Sequence, residues 1–392
     1  MNRRSEFLLL LSRMNWLMLA AVLALMTIGI IFIHSATHVR EDVTSGLYQK
    51  QILWALAGLG AYVAATLFDY RKLRDAAWWI YAMALILLVA VLFFGTRIYG
   101  ARRWLMFFGT GIQPSELGKL AVIVLAACLL SPPAGKFERL PPLGWMLFLA
   151  GVPMLLVLKE PDLGSALVYA PVMLAMLFVA GSAARPLVIL VLSGLLLVFL
   201  VLGVVALPEK IGMSPEKQEK FFRAIHLTEY QRDRIEVFLD PSRDPMGTGW
   251  NKRQSEISVG SGGLTGKGFR KGTQNILGFL PRTVAPTDFI FSVIAEETGF
   301  AGAMTVIGLH GVLALCGLYS AMAARDKMGR LLCVGVVTMV FTHAFVNMAM
   351  TIGLLPIVGI PLPLVSYGGT FMVVTLVALG LVQSVYVRRQ SI

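Results

Sequence analysis

Pro286-Thr287-Asp288-Phe289-Ile290-Phe291-Ser292-Val293-Ile294-Ala295-Glu296-Glu297-Thr298-Gly299 closes a polar segment of about sixty residues, rich in glycine and cations, that begins at Asp240 and feeds an apolar helix. The chain around it is 57% hydrophobic with a mean hydropathy of +0.75. So much polar sequence between apolar stretches is where chemistry is expected, with the remainder as scaffold.

A bilayer span takes roughly 20 mostly apolar residues. Such windows fall near residues 15–34, 51–68, 76–94, 114–130, 143–158, 164–181, 186–206, 299–323, 331–352 and 370–387, which predicts an all-α polytopic membrane protein of about ten transmembrane helices. The first window is too long for a signal-peptide core and lacks a small-residue cleavage site, so it is expected to stay as an anchor. With the N-terminus inside, fourteen lysines and arginines fall on the inner side, among them Arg3, Arg4, Arg71, Lys72, Arg74, Lys136, Arg139, Arg325, Arg388 and Arg389. That excess puts both termini in the cytoplasm and the long loop, residues 207–287, outside between spans seven and eight. Residues 1–392 read as a single membrane domain.

The net charge of +12 then calls for no nucleic acid. Inner cations are the ordinary orientation signal, and the loop cations from Lys210 to Arg282 either form a solvated surface or meet anionic lipid head groups or an anionic lipid substrate at the outer leaflet. Cys128, Cys316 and Cys333 all lie in apolar spans, so neither a disulfide framework nor zinc-ligand spacing is expected.

Ionisable groups at membrane depth are costly and so tend to be paired or functional. Glu116 and Lys119 stand three apart just after Pro114, at the start of a helix, close enough to pair on one face. Either a packing ion pair or a functional one fits. Arg103-Trp104 upstream puts a guanidinium and a belt aromatic at the outer interface. Lys159-Glu160-Pro161-Asp162-Leu163-Gly164 separates two apolar stretches with almost no loop. A tight solvated turn is one reading, and Asp162 as a ligand for a hard divalent cation is another. His34, His38, His226, His310 and His343 show no paired spacing and read as interface or packing residues.

Gly260-Ser261-Gly262-Gly263-Leu264-Thr265-Gly266-Lys267-Gly268 suggests a phosphate loop, but Ser261 and Gly268 stand where such a loop needs a glycine and a hydroxyl residue. Its glycines suit tight turns and close backbone approach, and its N–H groups suit an anion without a nucleotide. Asp288 sits where the chain re-enters an apolar helix. A capping carboxylate and a general base at a cavity mouth fit it equally well. Glu296 and Glu297 extend the same polar track or cap the next turn.

Taken in order, several motifs resemble the SEDS family of bacterial peptidoglycan polymerases. They are Gly100-Ala101-Arg102-Arg103-Trp104, Gln113-Pro114-Ser115-Glu116 with Lys119, Glu160-Pro161-Asp162-Leu163-Gly164, Gly260-Ser261-Gly262-Gly263, Thr287-Asp288-Phe289-Ile290-Phe291, Ala295-Glu296-Glu297-Thr298-Gly299 and Pro361-Leu362-Pro363-Leu364-Val365-Ser366-Tyr367-Gly368-Gly369. Each is weak alone; their order from about residue 100 to the end is specific. Asp244-Pro245-Met246-Gly247-Thr248-Gly249-Trp250 and Gly266-Lys267-Gly268 with Gly272-Thr273-Gln274 look like the elongation branch, RodA, rather than the division branch, FtsW. The chain departs from the usual pattern before Asp288, where the segment after Pro281 is about two residues longer and Pro286 replaces a common histidine.

The resemblance implies a peptidoglycan glycosyltransferase of the bacterial inner membrane, with its active site outside, that polymerises lipid II and displaces undecaprenyl pyrophosphate. It implies Asp288 as catalytic base, Arg103, Glu116, Lys119, Asp162, Ser261 and Lys267 as substrate-binding residues, and a divalent cation, Mg²⁺, with Asp162 and Asp288 as candidate ligands. It also implies a class B penicillin-binding protein as transpeptidase partner, together with other elongation-complex membrane proteins. Nothing in this sequence resembles a penicillin-binding Ser-x-x-Lys domain that would replace that partner. A lipid II flippase is the alternative, and it requires a polar track reaching the cytoplasmic side.

Overall fold

The computed structural model describes residues 12–38, 46–98, 101–107, 110–132, 143–214, 217–218, 221–222, 229–240, 244, 247–281 and 283–390. Gly100, Pro245, Met246 and Arg282 of the segments quoted above, His226, and the cations Arg3, Arg4, Lys136 and Arg139 lie outside the described residues.

Helices α1 (Trp16–Thr37), α2 (Leu47–Leu67) and α3 (Leu73–Phe94) open the bundle. A small antiparallel sheet follows, with strands β1 (Thr96–Ile98), β2 (Ala101–Phe107) and β3 (Thr110–Ile112) in the order β1-β2-β3. Then come α4 (Pro114–Leu129), α5 (Leu143–Lys159), α6 (Leu163–Ala180) and α7 (Ala184–Lys210). The long loop carries α8 (Glu229–Leu239), α9 (Thr248–Ser261) and the single turn α10 (Thr273–Ile276), before α11 (Ile290–Ala323), α12 (Lys327–Thr351) and α13 (Gly369–Val387) close the fold.

All ten predicted windows are helical, and eight of the described helices are long and apolar enough to cross a bilayer. The other two, α4 and α5, have 16 and 17 residues. At 1.5 Å per residue they reach about 25 Å, short of the roughly 30 Å hydrocarbon core. Both are cut short at the same polar place: α4 begins at Pro114, directly after the sheet, and α5 ends at Lys159, before Glu160-Pro161-Asp162.

Burial separates core helices from lipid-facing ones. The apolar windows of α12 and α13 are 78% buried and that of α7 only 6%, so the core lies along α12, α13 and α4 while α7 faces lipid. Small residues allow the close pairing of α2 with α13, where a Cβ on Gly58 would meet Leu376 and one on Gly380 would meet Tyr62 and Ala65. Gly60 has open space beside it and contributes nothing to that seam.

Helix α11 starts at Ile290, earlier than the apolar window suggested, and breaks at Gly299 (φ 68°, ψ −161°). Its first turns, Ile290 to Glu297, are wholly buried. The glycine-rich loop docks on them: the N–H of Gly268 donates to the Glu297 carbonyl (2.9 Å) and that of Phe300 to the Gly263 carbonyl (2.8 Å). The close backbone approach read from those glycines is therefore an approach to α11. A Cβ on Gly266 (φ +80°) would strike the Glu297 carbonyl.

Candidate active site

The backbone around Asp288 is held from three sides. Its own N–H donates to the Val284 carbonyl at 2.9 Å, closing a turn ahead of α11. Asn347 of α12 gives its amide N–H to the Asp288 carbonyl (2.9 Å) and to that of Ile360 (2.7 Å). From the segment before α13, the Ser366 hydroxyl donates to the Thr287 carbonyl (2.5 Å) and the Tyr367 N–H to the Pro286 carbonyl (2.9 Å). The Pro361–Tyr367 motif is thus the clamp that fixes the aspartate.

The half-buried Asp288 carboxyl is pushed up to about 6, by burial first, and Arg234 and Arg103 pull against that shift. Arg234 comes from α8 in the long loop. A Cβ at Gly359 would sit 3.4 Å from Asp288 Oδ2 and 3.7 and 3.8 Å from the two terminal nitrogens of Arg234, so bare backbone there (φ +74°) lets carboxylate and guanidinium lie against it. No sequence pattern marked Arg234.

The small sheet aims Arg103 at the turn between α5 and α6. Its guanidinium donates to the carbonyls of Glu160 (Nε, 3.4 Å) and Pro161, and lies 3.9 Å from Asp162 Oδ1. Asp162 is buried and caps α6: Oδ1 accepts from the Ser165 N–H (3.1 Å) and Oδ2 from the Gln113 amide (3.1 Å). Glu160 is 1% exposed, and neither of its carboxyl oxygens has a hydrogen-bond partner among the described residues. Burial, with Asp162 next, pushes it up to about 9 against the pull of Arg103, so it is a neutral acid at physiological pH.

Glu116 and Lys119 do pair, at 2.8 Å, both buried. Lys119 Nζ also meets His343 Nε2 of α12 at 2.8 Å. His343, which sequence alone assigned to packing, is the third member of this buried group. Ser261 and Lys267 lie elsewhere: Ser261 donates to the Ser258 carbonyl (3.2 Å), and Lys267 pairs with Glu296 (2.6 Å). Glu296 also accepts from the Gln274 N–H, while Glu297 accepts from the Arg270 N–H and the Ser35 hydroxyl. The two glutamates thus hold the loop onto α11.

A groove of about 680 Å³ runs beside this cluster, lined by Lys50, Leu53, Trp54 and Ala57 of α2, Trp104, Met106 and Gly111 of the sheet, and Thr287, Tyr367, Gly368 and Gly369. It is mostly apolar, includes Thr287, the residue before Asp288, in its lining, and suits a lipid chain. Among the described residues no three histidines, cysteines or carboxylates come together to hold a metal ion. Both oxygens of Asp162 already accept hydrogen bonds, so the site is not a closed metal cage.

Comparison with known proteins agrees over the whole length. The chain is 36% identical to the peptidoglycan glycosyltransferase MrdB of Escherichia coli (strain K12) over 379 residues, covering 96% of this chain and 94% of that one. It is 33% identical to the peptidoglycan glycosyltransferase RodA of Treponema pallidum (strain Nichols), covering 96% and 98%. A probable FtsW of Trichlorobacter lovleyi is 34% identical, covering 96% and 93%. Among solved structures, a chain from a peptidoglycan synthase complex that coordinates polymerization and crosslinking superposes with a TM-score of 0.73 at 29% identity, covering 97% and 99%. Thermus thermophilus RodA superposes with 0.66 at 26%, covering 97% and 98%. With the FtsW/RodA/SpoVE cell cycle protein model matching residues 15–391, the chain belongs to that family, the SEDS proteins.

Proposed function

We propose that this chain is a peptidoglycan glycosyltransferase of cell elongation that polymerises lipid II at the outer face of the bacterial inner membrane, with Asp288 as general base. The observation that carries this reading is the clamped, half-buried Asp288 carboxyl beside two arginines, directly after Thr287 in the lining of a lipid-sized groove. A base with a value of about 6 is ionised at neutral pH yet basic enough to take a hydroxyl proton.

In this scheme an acceptor hydroxyl attacks the anomeric carbon of a lipid-linked sugar and passes its proton to Asp288, as the electron pair of the breaking bond moves onto undecaprenyl pyrophosphate. The groove between α2 and the sheet takes a polyprenyl chain. Arg103, oriented by Asp162, supplies positive potential, and neutral Glu160 leaves that potential uncancelled. Glu116 and Lys119 with His343 brace α4 against α12 behind the site. A divalent cation such as Mg²⁺ would neutralise the pyrophosphate, with Asp162 and Asp288 as the carboxylates that would hold it. The cation count supports cytoplasmic termini, and a class B penicillin-binding protein would crosslink the product.

The test is to present labelled lipid II on one leaflet only of proteoliposomes holding the protein in known orientation. Polymer is expected only from lipid II on the leaflet facing the loop. Transfer of label between leaflets without polymer would support a flippase instead.

A further inference from the structure

We infer that Arg234, carried on α8 outside the bundle, is the guanidinium that grips the diphosphate leaving group beside Asp288. This rests on the glycosyltransferase reading above. Two of the cations implied as substrate-binding, Arg103 and Lys119, have partners within the protein. Arg103 gives Nε and one terminal nitrogen to the carbonyls of Glu160 and Pro161 and lies 3.9 Å from Asp162. Lys119 is 2% exposed and enclosed by Glu116 and His343. A diphosphate that gains charge next to a carboxylate needs a cation within contact distance. Arg234 has its two terminal nitrogens over Gly359, where the same backbone point also meets Asp288 Oδ2. A guanidinium presents paired donors that match two phosphate oxygens.

The placement of Arg234 is built rather than incidental. Lys252 of α9 donates to the Phe238 carbonyl of α8 (3.2 Å) and lies 4.8 Å above the Phe238 ring. One turn further along α9, the Ser255 hydroxyl bonds the Ser292 hydroxyl of α11 (2.7 Å) and donates to the Thr351 carbonyl of α12 (2.7 Å). Arg234 is therefore tied through α9 to the two helices that position Asp288. As the bond from the anomeric carbon to the diphosphate oxygen breaks, its electron pair stays on that oxygen. The acceptor oxygen bonds the anomeric carbon, its proton goes to Asp288, and Arg234 meets the charge collecting on the diphosphate.

The experiment uses the full-length protein with its penicillin-binding partner, labelled lipid II as substrate and inorganic pyrophosphate as inhibitor. Arg234→Gln should weaken pyrophosphate inhibition and lower kcat/KM, each by about tenfold or more, as expected for loss of a charge-assisted contact. Arg234→Lys should recover part of both. Arg253→Gln removes the same charge from an exposed position on α9 and should change neither. Calorimetric binding of pyrophosphate, which needs no turnover, should follow the same order. Equal pyrophosphate binding by wild type and Arg234→Gln would overturn the inference, as would an equal effect from Arg253→Gln. Absence of polymer from wild type would instead sink the glycosyltransferase reading, leaving the binding comparison to judge Arg234 alone.

Discussion

If Asp288 is the base, polymerisation must rise with pH as its proton leaves. Burial raises the carboxyl from its ordinary 3.8 to about 6, with Arg234 and Arg103 limiting the rise. With that value, roughly one-tenth of the sites are ionised at about pH 5, half at about pH 6 and nine-tenths at about pH 7. Initial rates of glycan synthesis from labelled lipid II, measured at saturating substrate across this range, should fall about tenfold from neutral to about pH 5. Replacing Arg103 with glutamine removes one charge that stabilises the carboxylate and should move the limb to higher pH. Stability should report the same raised carboxyl. A carboxyl raised in the folded state favours folding at low pH and loses that advantage as pH rises through about 6. Asp288→Asn should therefore unfold at higher temperature than wild type near neutral pH, by at most about 3 kcal/mol before solvent screening. A rate limb near the ordinary carboxylate value, or no limb at all, would refute the role assigned to burial.

Three further expectations concern the frame around the site. Lys119→Met strands Glu116 in the bundle and should cost about 3–5 kcal/mol by thermal unfolding, with Glu116→Gln/Lys119→Met recovering much of it; additive losses would contradict a shared pair. Gly299→Ala forces a side chain into a backbone region reserved for glycine and into Gly266 and Leu264, so it should destabilise the protein by about 3 kcal/mol or fail to fold. Gly308→Ala, at a position with open space beside it, serves as its tolerated control. Lys267→Met should lower stability by about 1–3 kcal/mol through loss of the Glu296 bond while leaving KM for lipid II unchanged; a raised KM at unchanged stability would return Lys267 to the substrate.

The spans were legible because apolar windows of bilayer length admit few other readings, and the pairing of Glu116 with Lys119 followed from helical spacing alone. The small sheet was not. Its strands are three, seven and three residues long and owe their form to one another rather than to any sustained alternation. His343 and Arg234 were missed for a common reason: each gains meaning only from a partner far along the chain, Lys119 on α4 and Asp288 ahead of α11. The cations of the glycine loop drew attention as ligand groups because glycine and lysine together suggest phosphate. Instead Glu296 and Glu297, buried at the head of α11, use that loop's N–H groups and lysine to satisfy their own charges. Asp288 could be ranked above the other carboxylates only by family resemblance, since capping and catalysis make the same demand on a residue ahead of a helix.

The most direct measurement is polymerisation of labelled lipid II by purified wild type and Asp288→Asn, each with the penicillin-binding partner and Mg²⁺ and each shown to be folded by thermal unfolding. Glycan strands from wild type and none from the variant are the predicted result. Equal polymer from both would contradict Asp288 as the base.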